Sequence, residues 1–244
     1  MSRDSARGAI HAGTSGYSYK AWRGTVYPDE LPQERFLRAY AERFTTVEIN
    51  NTFYRFPTDS VLKQWAAETP EGFTFAIKAN QRITHRHRLK NADEVTRSFV
   101  ERCAVLERRL GPLLFQCPPV FRRDDERLAG FLRSLPAGAR YAIEFRNKSW
   151  FEPPVAELLR QAGVAFVQSD DDKLETPRFV TSSFCYVRLR RERYDDRRLA
   201  DWRRWLDARR DDGLDVFVYL KHDESGASPT IVLRSLGADE ARSG

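Results

Sequence analysis

A (β/α)8 barrel is the fold class this sequence predicts, and three observations carry it. β-like and helix-like segments alternate almost without exception between residues 10 and 236. The length of 244 residues with 41% hydrophobic content matches one domain closed around one large core. The strand positions that should face the lumen turn polar at their C-terminal ends, where barrels of this kind place their sites.

Residues 10–14 read as the first strand, and 33–44 as a helix with Phe36, Leu37, Tyr40 and Ala41 at helical spacing. Strand two is 45–50, where Val47 and Ile49 alternate with Glu48 and Asn50; its helix, 58–68, gathers Val61, Leu62 and Trp65 on one face. Strand three (73–78) precedes a long helix over 93–110, opened by an N-cap candidate. Strand four (112–116) is followed by helix 124–135, and strand five (141–146) by helix 153–162, closed by Gly163. Strand six is 164–168. Residues 171–183 show no helical period, so the sixth helix is expected to be missing or one turn long. Strand seven (184–189) leads to helix 196–210, and strand eight (215–221) to helix 227–236. Residues 1–9 and 237–244 read as flexible termini around a single domain, 10–236. An open doubly wound sheet is the rival arrangement.

Composition narrows the function classes. No apolar run is long enough to span a bilayer, and the first seven residues lack the apolar region of a secretory signal, so no membrane partner is expected. Three cysteines without CxxC spacing read as buried reduced thiols, which points to the cytoplasm. A net charge of +6 permits an anionic partner without requiring one.

The polar strand ends nominate the site. Glu48 and Asn50 (strand two), Lys78 (three), Gln116 (four), Glu144 and Arg146 (five), Gln168 and Asp170 (six), Arg188 (seven) and Lys221 (eight) form the expected lumen-facing set. Burying unpaired charge is costly, so a barrel needs no such ring for stability. The opposing reading is that these groups simply neutralise one another. The following loops add further groups: Tyr17 and Trp22 after strand one, Thr52 and Tyr54 after strand two, His85 as a proton shuttle after strand three, Trp150 after strand five, and His222 after Lys221.

Several of these segments together resemble one family. Gly13-Thr-Ser-Gly-Tyr17 with Trp22 and Tyr27-Pro28, Val47-Glu-Ile-Asn-Asn-Thr-Phe-Tyr54, Thr84-His85, Gln116-Cys-Pro-Pro119, Glu144-Phe-Arg146 with Ser149-Trp150, and Ser169-Asp170 occur in the order found in the YecE-like family, domain of unknown function 72. The resemblance covers roughly residues 10–236 and implies a TIM barrel of undetermined activity, similar in fold to endonuclease IV. It maps the family's motif residues onto Glu48, Asn50, Thr52, Tyr54, His85, Glu144, Arg146, Trp150, Asp170 and Arg188. This chain departs from the family pattern at Lys221-His222-Asp223 and in the segment after Arg188.

Three functions compete. The first is acid–base chemistry on a small anionic or sugar-like molecule. Glu48, Glu144, His85, Asp170 and Lys78 would be the catalytic groups, with Glu48 and Glu144 as an acid and base of separated pKa. Tyr17, Trp22, Asn50, Thr52, Tyr54, Gln116, Arg146, Trp150, Arg188, Lys221 and His222 would bind substrate. No cofactor is expected on this reading, and the carboxylates with His85 and His222 leave room for a divalent metal. The second is a metal-dependent phosphodiester hydrolase like endonuclease IV. The third is a non-catalytic nucleic-acid-binding module using Arg197, Arg198, Arg203, Arg204, Arg209 and Arg210, although interleaved aspartates break up that field.

Overall fold

In a computed structural model of the chain, residues 7–221 and 226–236 are described. Eight parallel strands form a nearly closed barrel: β1 (Ile10–Thr14), β2 (Thr46–Ile49), β3 (Thr74–Lys78), β4 (Leu110–Gln116), β5 (Tyr141–Glu144), β6 (Ala165–Asp170), β7 (Phe184–Leu189) and β8 (Asp215–Leu220). The order runs β1-β8-β7-β6-β5-β4-β3-β2, so the seam lies between β1 and β2. A bridge between Ser15 and Glu48 and a 2.8 Å hydrogen bond from the Gly16 amide to the Glu48 carbonyl draw that seam together. Gly13 is required here, because a Cβ would stand 2.3 Å from the Thr46 carbonyl oxygen.

Helices cover the outside: α1 (Phe36–Ala41), α2 (Asp59–Glu68), α3 (Asp93–Cys103), α4 (Asp125–Ser134), α5 (Pro153–Gln161), α6 (Asp196–Asp211) and α7 (Ala227–Ser235). Thr58, Asp124 and Asp195 cap α2, α4 and α6 by accepting an amide three residues on, each worth about 1 kcal/mol. Two helices are shorter than their apolar spacing suggested. Residues 33–35 wind as a 3-10 turn before α1, and α3 gives way to 3-10 geometry over Ala104–Arg109, with Glu107 at φ 49°. The chain must turn there to enter β4, which starts two residues earlier than the sequence pattern indicated.

Between β6 and β7 there is no helix, as the missing period indicated. Residues 171–183 instead bond to the strand they leave. Thr181 and Thr176 accept the amides of Phe166 and Ser169, each at 2.8 Å, the first at the Ile143–Phe166 pair where β5–β6 pairing stops and the second beyond it. The loop thereby satisfies amides that a neighbouring strand would otherwise need to take.

The barrel interior is packed rather than hollow. Ala76, Leu114, Ala142, Ala165, Val167, Phe184, Tyr186, Phe217 and Tyr219 form one buried cluster, separate from the larger apolar shell between sheet and helices. Moving toward the strand C-termini the fill becomes polar: Tyr219 Oη lies 2.8 Å from Thr46 Oγ1, and Tyr186 donates at 2.8 Å to Glu48.

Among the described residues no helix is long and apolar enough to cross a membrane. Cys103, Cys117 and Cys185 are free and buried. Of the segments read as flexible termini, residues 1–6 and 237–244 lie outside the described residues. Residues 7–9 run against α6 and β8, with the Gly8 amide bonded to the Arg210 carbonyl at 3.0 Å and the Ala9 amide to Asp215 at 3.1 Å.

Candidate functional site

At the C-terminal mouth, Arg188 on β7 bridges two buried carboxylates. One Nη donates at 2.5 Å to Glu144 on β5, the other at 2.8 Å to Glu48 on β2. Glu48 also accepts from Ser15 (2.8 Å), Asn50 (2.9 Å) and Tyr186 (2.8 Å), while Gln116 on β4 donates to Glu144 at 2.9 Å. Burial alone would favour protonated carboxyls. Arg188 overrides it, holding Glu48 at about 2 and Glu144 below the usual carboxylate range. Both are therefore ionised at neutral pH. The expectation that one of the two has a raised pKa and serves as an acid is corrected: a shared guanidinium stabilises both anions.

Around this network stand four half-buried groups. Lys78, the last residue of β3, donates to Gln116 Oε1 at 2.9 Å and lies 4.3 Å from the Phe53 ring centroid. Among the described residues it has no carboxylate partner within salt-bridge distance. Burial and the neighbouring Arg188 push its pKa down to about 8. His85, in a π-helical turn over Arg82–Arg86, holds Thr84 Oγ1 at 2.9 Å through Nδ1, which leaves Nε2 for proton exchange. Burial, Lys78 and Arg146 lower its pKa, so the ring is neutral near pH 7. Arg146 reaches Asp171 at 3.5 Å and Glu144 at 3.9 Å. Arg190 continues the inward parity of β7 past its end, within electrostatic reach of Glu48, Glu144, Arg146 and Arg188. Its Nη1 is buried without a hydrogen-bond partner.

Among the described residues, Lys78, Arg146, Arg188 and Arg190 face Glu48 and Glu144, and Asp171 offsets Arg146. Four cations thus stand against three carboxylates among these residues, and Arg190 and Lys78 are the two without a carboxylate at salt-bridge distance.

Other nominated residues are placed elsewhere. Asp170 and Gln168 point outward, reversing the parity read from the sequence, because Ala165 and Val167 supply the inward positions of β6. Asp170 is clasped by Arg198 (2.8 and 2.9 Å) and by Trp202 Nε1 (2.9 Å) beneath α6. Trp22 and Trp150, expected to stack on a ligand, are fully buried. Trp150 lies flat on Phe145 at 4.4 Å and donates to the Phe121 carbonyl at 2.8 Å, which is the geometry of a core anchor. Thr52 is buried too, donating at 2.7 Å to the Lys78 carbonyl and so tying the β2 loop to β3. Tyr54 is 75% exposed on the rim. Tyr17 lines a cleft of about 170 Å³ with Tyr19, Asn50 and Trp65. Lys221 borders a larger cavity, about 500 Å³, beside the mouth between the β7–α6 loop and α7, with Arg191, Tyr194 and Ser228. His222 lies outside the described residues. Among the described residues no three His, Cys, Asp or Glu side chains converge to hold a metal ion.

The arginines of α6 are largely paired. Arg203 meets Asp207 at 2.7 Å, Arg209 meets Asp212 at 2.8 Å, and Arg210 meets Asp207 at 3.0 Å. Such pairing removes the unbroken positive stripe that phosphate-backbone binding needs.

Sequence reasoning overlooked Arg190, Ser15 and Tyr186. All three were within reach of the same parity rule: Arg190 and Tyr186 are two residues either side of Arg188, and Ser15 is two beyond Gly13.

Fold and mouth together define a (β/α)8 barrel whose interior ends in a buried carboxylate–guanidinium network flanked by further cations. The model of the family described as "Protein of unknown function DUF72" matches residues 11–238, and the chain belongs to that family. It is 32% identical over 161 residues to the UPF0759 protein YunF of Bacillus subtilis, covering 61% of this chain and 54% of that protein. It is also 32% identical over 148 residues to the UPF0759 protein YecE of Escherichia coli K12, covering 58% and 54%. The aligned segment thus spans about half the length of these curated relatives. The crystal structure of a DUF72 family protein from Thermotoga maritima superposes with a TM-score of 0.81 at 28% identity, covering 93% of this chain and 97% of that one. One from Enterococcus faecalis superposes with a TM-score of 0.73 at 20% identity, covering 94% and 96%, a likeness of fold.

Proposed function

We propose that this protein is a cytoplasmic enzyme that binds a small anionic molecule, sugar-like or otherwise, at the barrel mouth and performs proton-transfer chemistry on it. One observation carries this reading: Arg190 keeps a buried, unpartnered Nη1 above a network whose two carboxylates are already committed to Arg188. A buried guanidinium donor without an acceptor costs free energy, and an anionic ligand group would relieve it.

The roles follow from protonation. Glu48 and Glu144 act as fixed anions that orient Arg188, with Asn50, Ser15, Tyr186 and Gln116 locking their oxygens. Arg190 and Arg146 receive the anionic group. Lys78, brought down to about 8 by burial and neighbouring cations, is the group poised to change protonation near neutral pH. His85, lowered by burial, Lys78 and Arg146, is a neutral imidazole beside this network.

The test is ligand-induced stabilisation. Inorganic phosphate, sulfate and simple carboxylates should stabilise the wild-type protein by about 2.7 kcal/mol at a hundredfold excess over Kd, read as a raised denaturation midpoint. Neutral sugars lacking an anionic group should give less. The Arg190→Met variant should fold and lose the anion effect. Equal stabilisation of wild type and Arg190→Met by every anion would remove the mouth as the binding site.

A further inference from the structure

We propose that Lys78 is an amine nucleophile that forms a Schiff base with the carbonyl of an anionic substrate, a 2-oxo acid or a keto phosphate, seated against Arg190. The inference rests on the mouth being the binding site and goes on to name its chemistry and substrate class.

Geometry is the first support. Lys78 ends β3 at an inward position, half-buried yet open to the mouth. Its ammonium is held only by a neutral amide oxygen at 2.9 Å and the face of Phe53 at 4.3 Å. A structural lysine buried this far normally faces a carboxylate. Here the two nearest carboxylates are occupied by Arg188. Only longer-range attraction from Glu144 and Glu48 favours the charge on Lys78, and burial together with Arg188 and Arg190 outweighs it. A desolvated lysine beside other cations is how proteins prepare a neutral amine for attack on a carbonyl. At a pKa of about 8, roughly one molecule in ten carries the free amine at pH 7, against about one in three thousand for an ordinary lysine.

The surroundings complete the requirement. Arg190 offers an unpartnered donor for the substrate's carboxylate or phosphate. His85 lies within electrostatic reach of Lys78, with Nδ1 taken by Thr84, and its neutral ring is able to relay a proton. The free amine adds to the carbonyl carbon, forming the C–N bond, and the carbonyl oxygen is protonated through His85. The nitrogen gives up a proton and the oxygen leaves as water. The iminium keeps the single positive charge that the ammonium carried, so atoms and charge balance without an oxidant or further reactant. Carbanion chemistry at the adjacent carbon is the reaction class this opens.

Reductive trapping tests it. The protein is incubated with pyruvate or dihydroxyacetone phosphate, reduced with sodium cyanoborohydride, and mapped by peptide mass; seven lysines make the assignment simple. One adduct on Lys78 is expected, with a rate rising around pH 8 instead of near 10.5. Lys78→Arg should abolish it at an unchanged denaturation midpoint with phosphate protection retained. Arg190→Met should raise the pyruvate concentration needed at least tenfold, while the concentration of neutral dihydroxyacetone needed changes far less than that of pyruvate. It should also move the pH dependence of trapping upward, since it removes one of the cations that lower Lys78. Adducts spread evenly over the exposed lysines, or none at all, overturn the proposal. If phosphate still stabilises the wild type but not Arg190→Met, the mouth stands as an anion site and only the amine chemistry falls. If phosphate fails as well, both fall together.

Discussion

Replacing Arg188 by Met would test whether the mouth network is held as described. The methionine stem occupies part of the arginine's volume but supplies no charge. Glu48 and Glu144 would keep their neutral donors, Ser15, Asn50, Tyr186 and Gln116, and lose the guanidinium between them. Breaking a buried ion pair by removing one partner costs about 3–5 kcal/mol. Glu48 is held below its ordinary pKa although burial alone would raise it, and Arg188 is the main group opposing burial, so its loss acts in the same direction. Lys78 and Arg190 remain nearby and place the cost toward the lower end of that range.

The assay is urea denaturation of both proteins at pH 7 and pH 5. In the wild type Glu48's folded pKa lies below its unfolded value, so its contribution is complete above about 4.5 and is lost only as pH falls toward 2. From this group the wild-type stability should be flat between pH 7 and 5. In Arg188→Met the buried carboxyls titrate above 4.5, the folded state binds more protons than the unfolded, and stability should rise on acidification over the same interval. A loss below 1 kcal/mol at pH 7, or a pH response parallel to that of the wild type, would refute the account of the network.

Two further predictions concern the frame. Gly13→Ala should lower stability by about 1–3 kcal/mol, because a Cβ 2.3 Å from the Thr46 carbonyl forces the β1–β2 seam apart; the denaturant midpoint reads it. Asp170→Asn should destabilise by about 2–4 kcal/mol, since Arg198 and Arg191 lose their buried counter-charge, yet leave phosphate binding at the mouth unchanged in the same titration.

How far the sequence reached depends on which physical signal each feature rests upon. The strands and the absent sixth helix were legible because they follow from local alternation and from a stretch, 171–183, with no helical period. The ends of α1 and α3 were not, because chain entry into the next strand overrides helix spacing, as the φ of 49° at Glu107 shows. In the mouth, Glu48, Lys78, Gln116, Glu144 and Arg188 converge because parity carried over cleanly on β2, β3, β4, β5 and β7. Parity failed on β6. Val167 there is an inward apolar residue of the same type that faces the helices elsewhere, so composition could not assign the face. Trp22 and Trp150 show a different limit: an aromatic in a loop after a strand reads the same whether it packs inward or waits for a ligand. Only the Phe121 carbonyl, 29 residues from Trp150 in the chain, decides the matter.

The division of labour at the mouth follows from which charges are satisfied. A carboxylate pair at the end of a barrel invites assignment as acid and base, but that role needs two pKa values pushed apart. Here one arginine lowers both, and every oxygen of Glu48 is engaged by a donor. In the proposed function these carboxylates are scaffold, and reactivity is assigned to groups whose charge the fold leaves uncompensated, since an unpaired buried cation costs stability and returns none. Lys78 and Arg190 meet that criterion, one held by a neutral amide and a ring face, the other with a donor facing no acceptor.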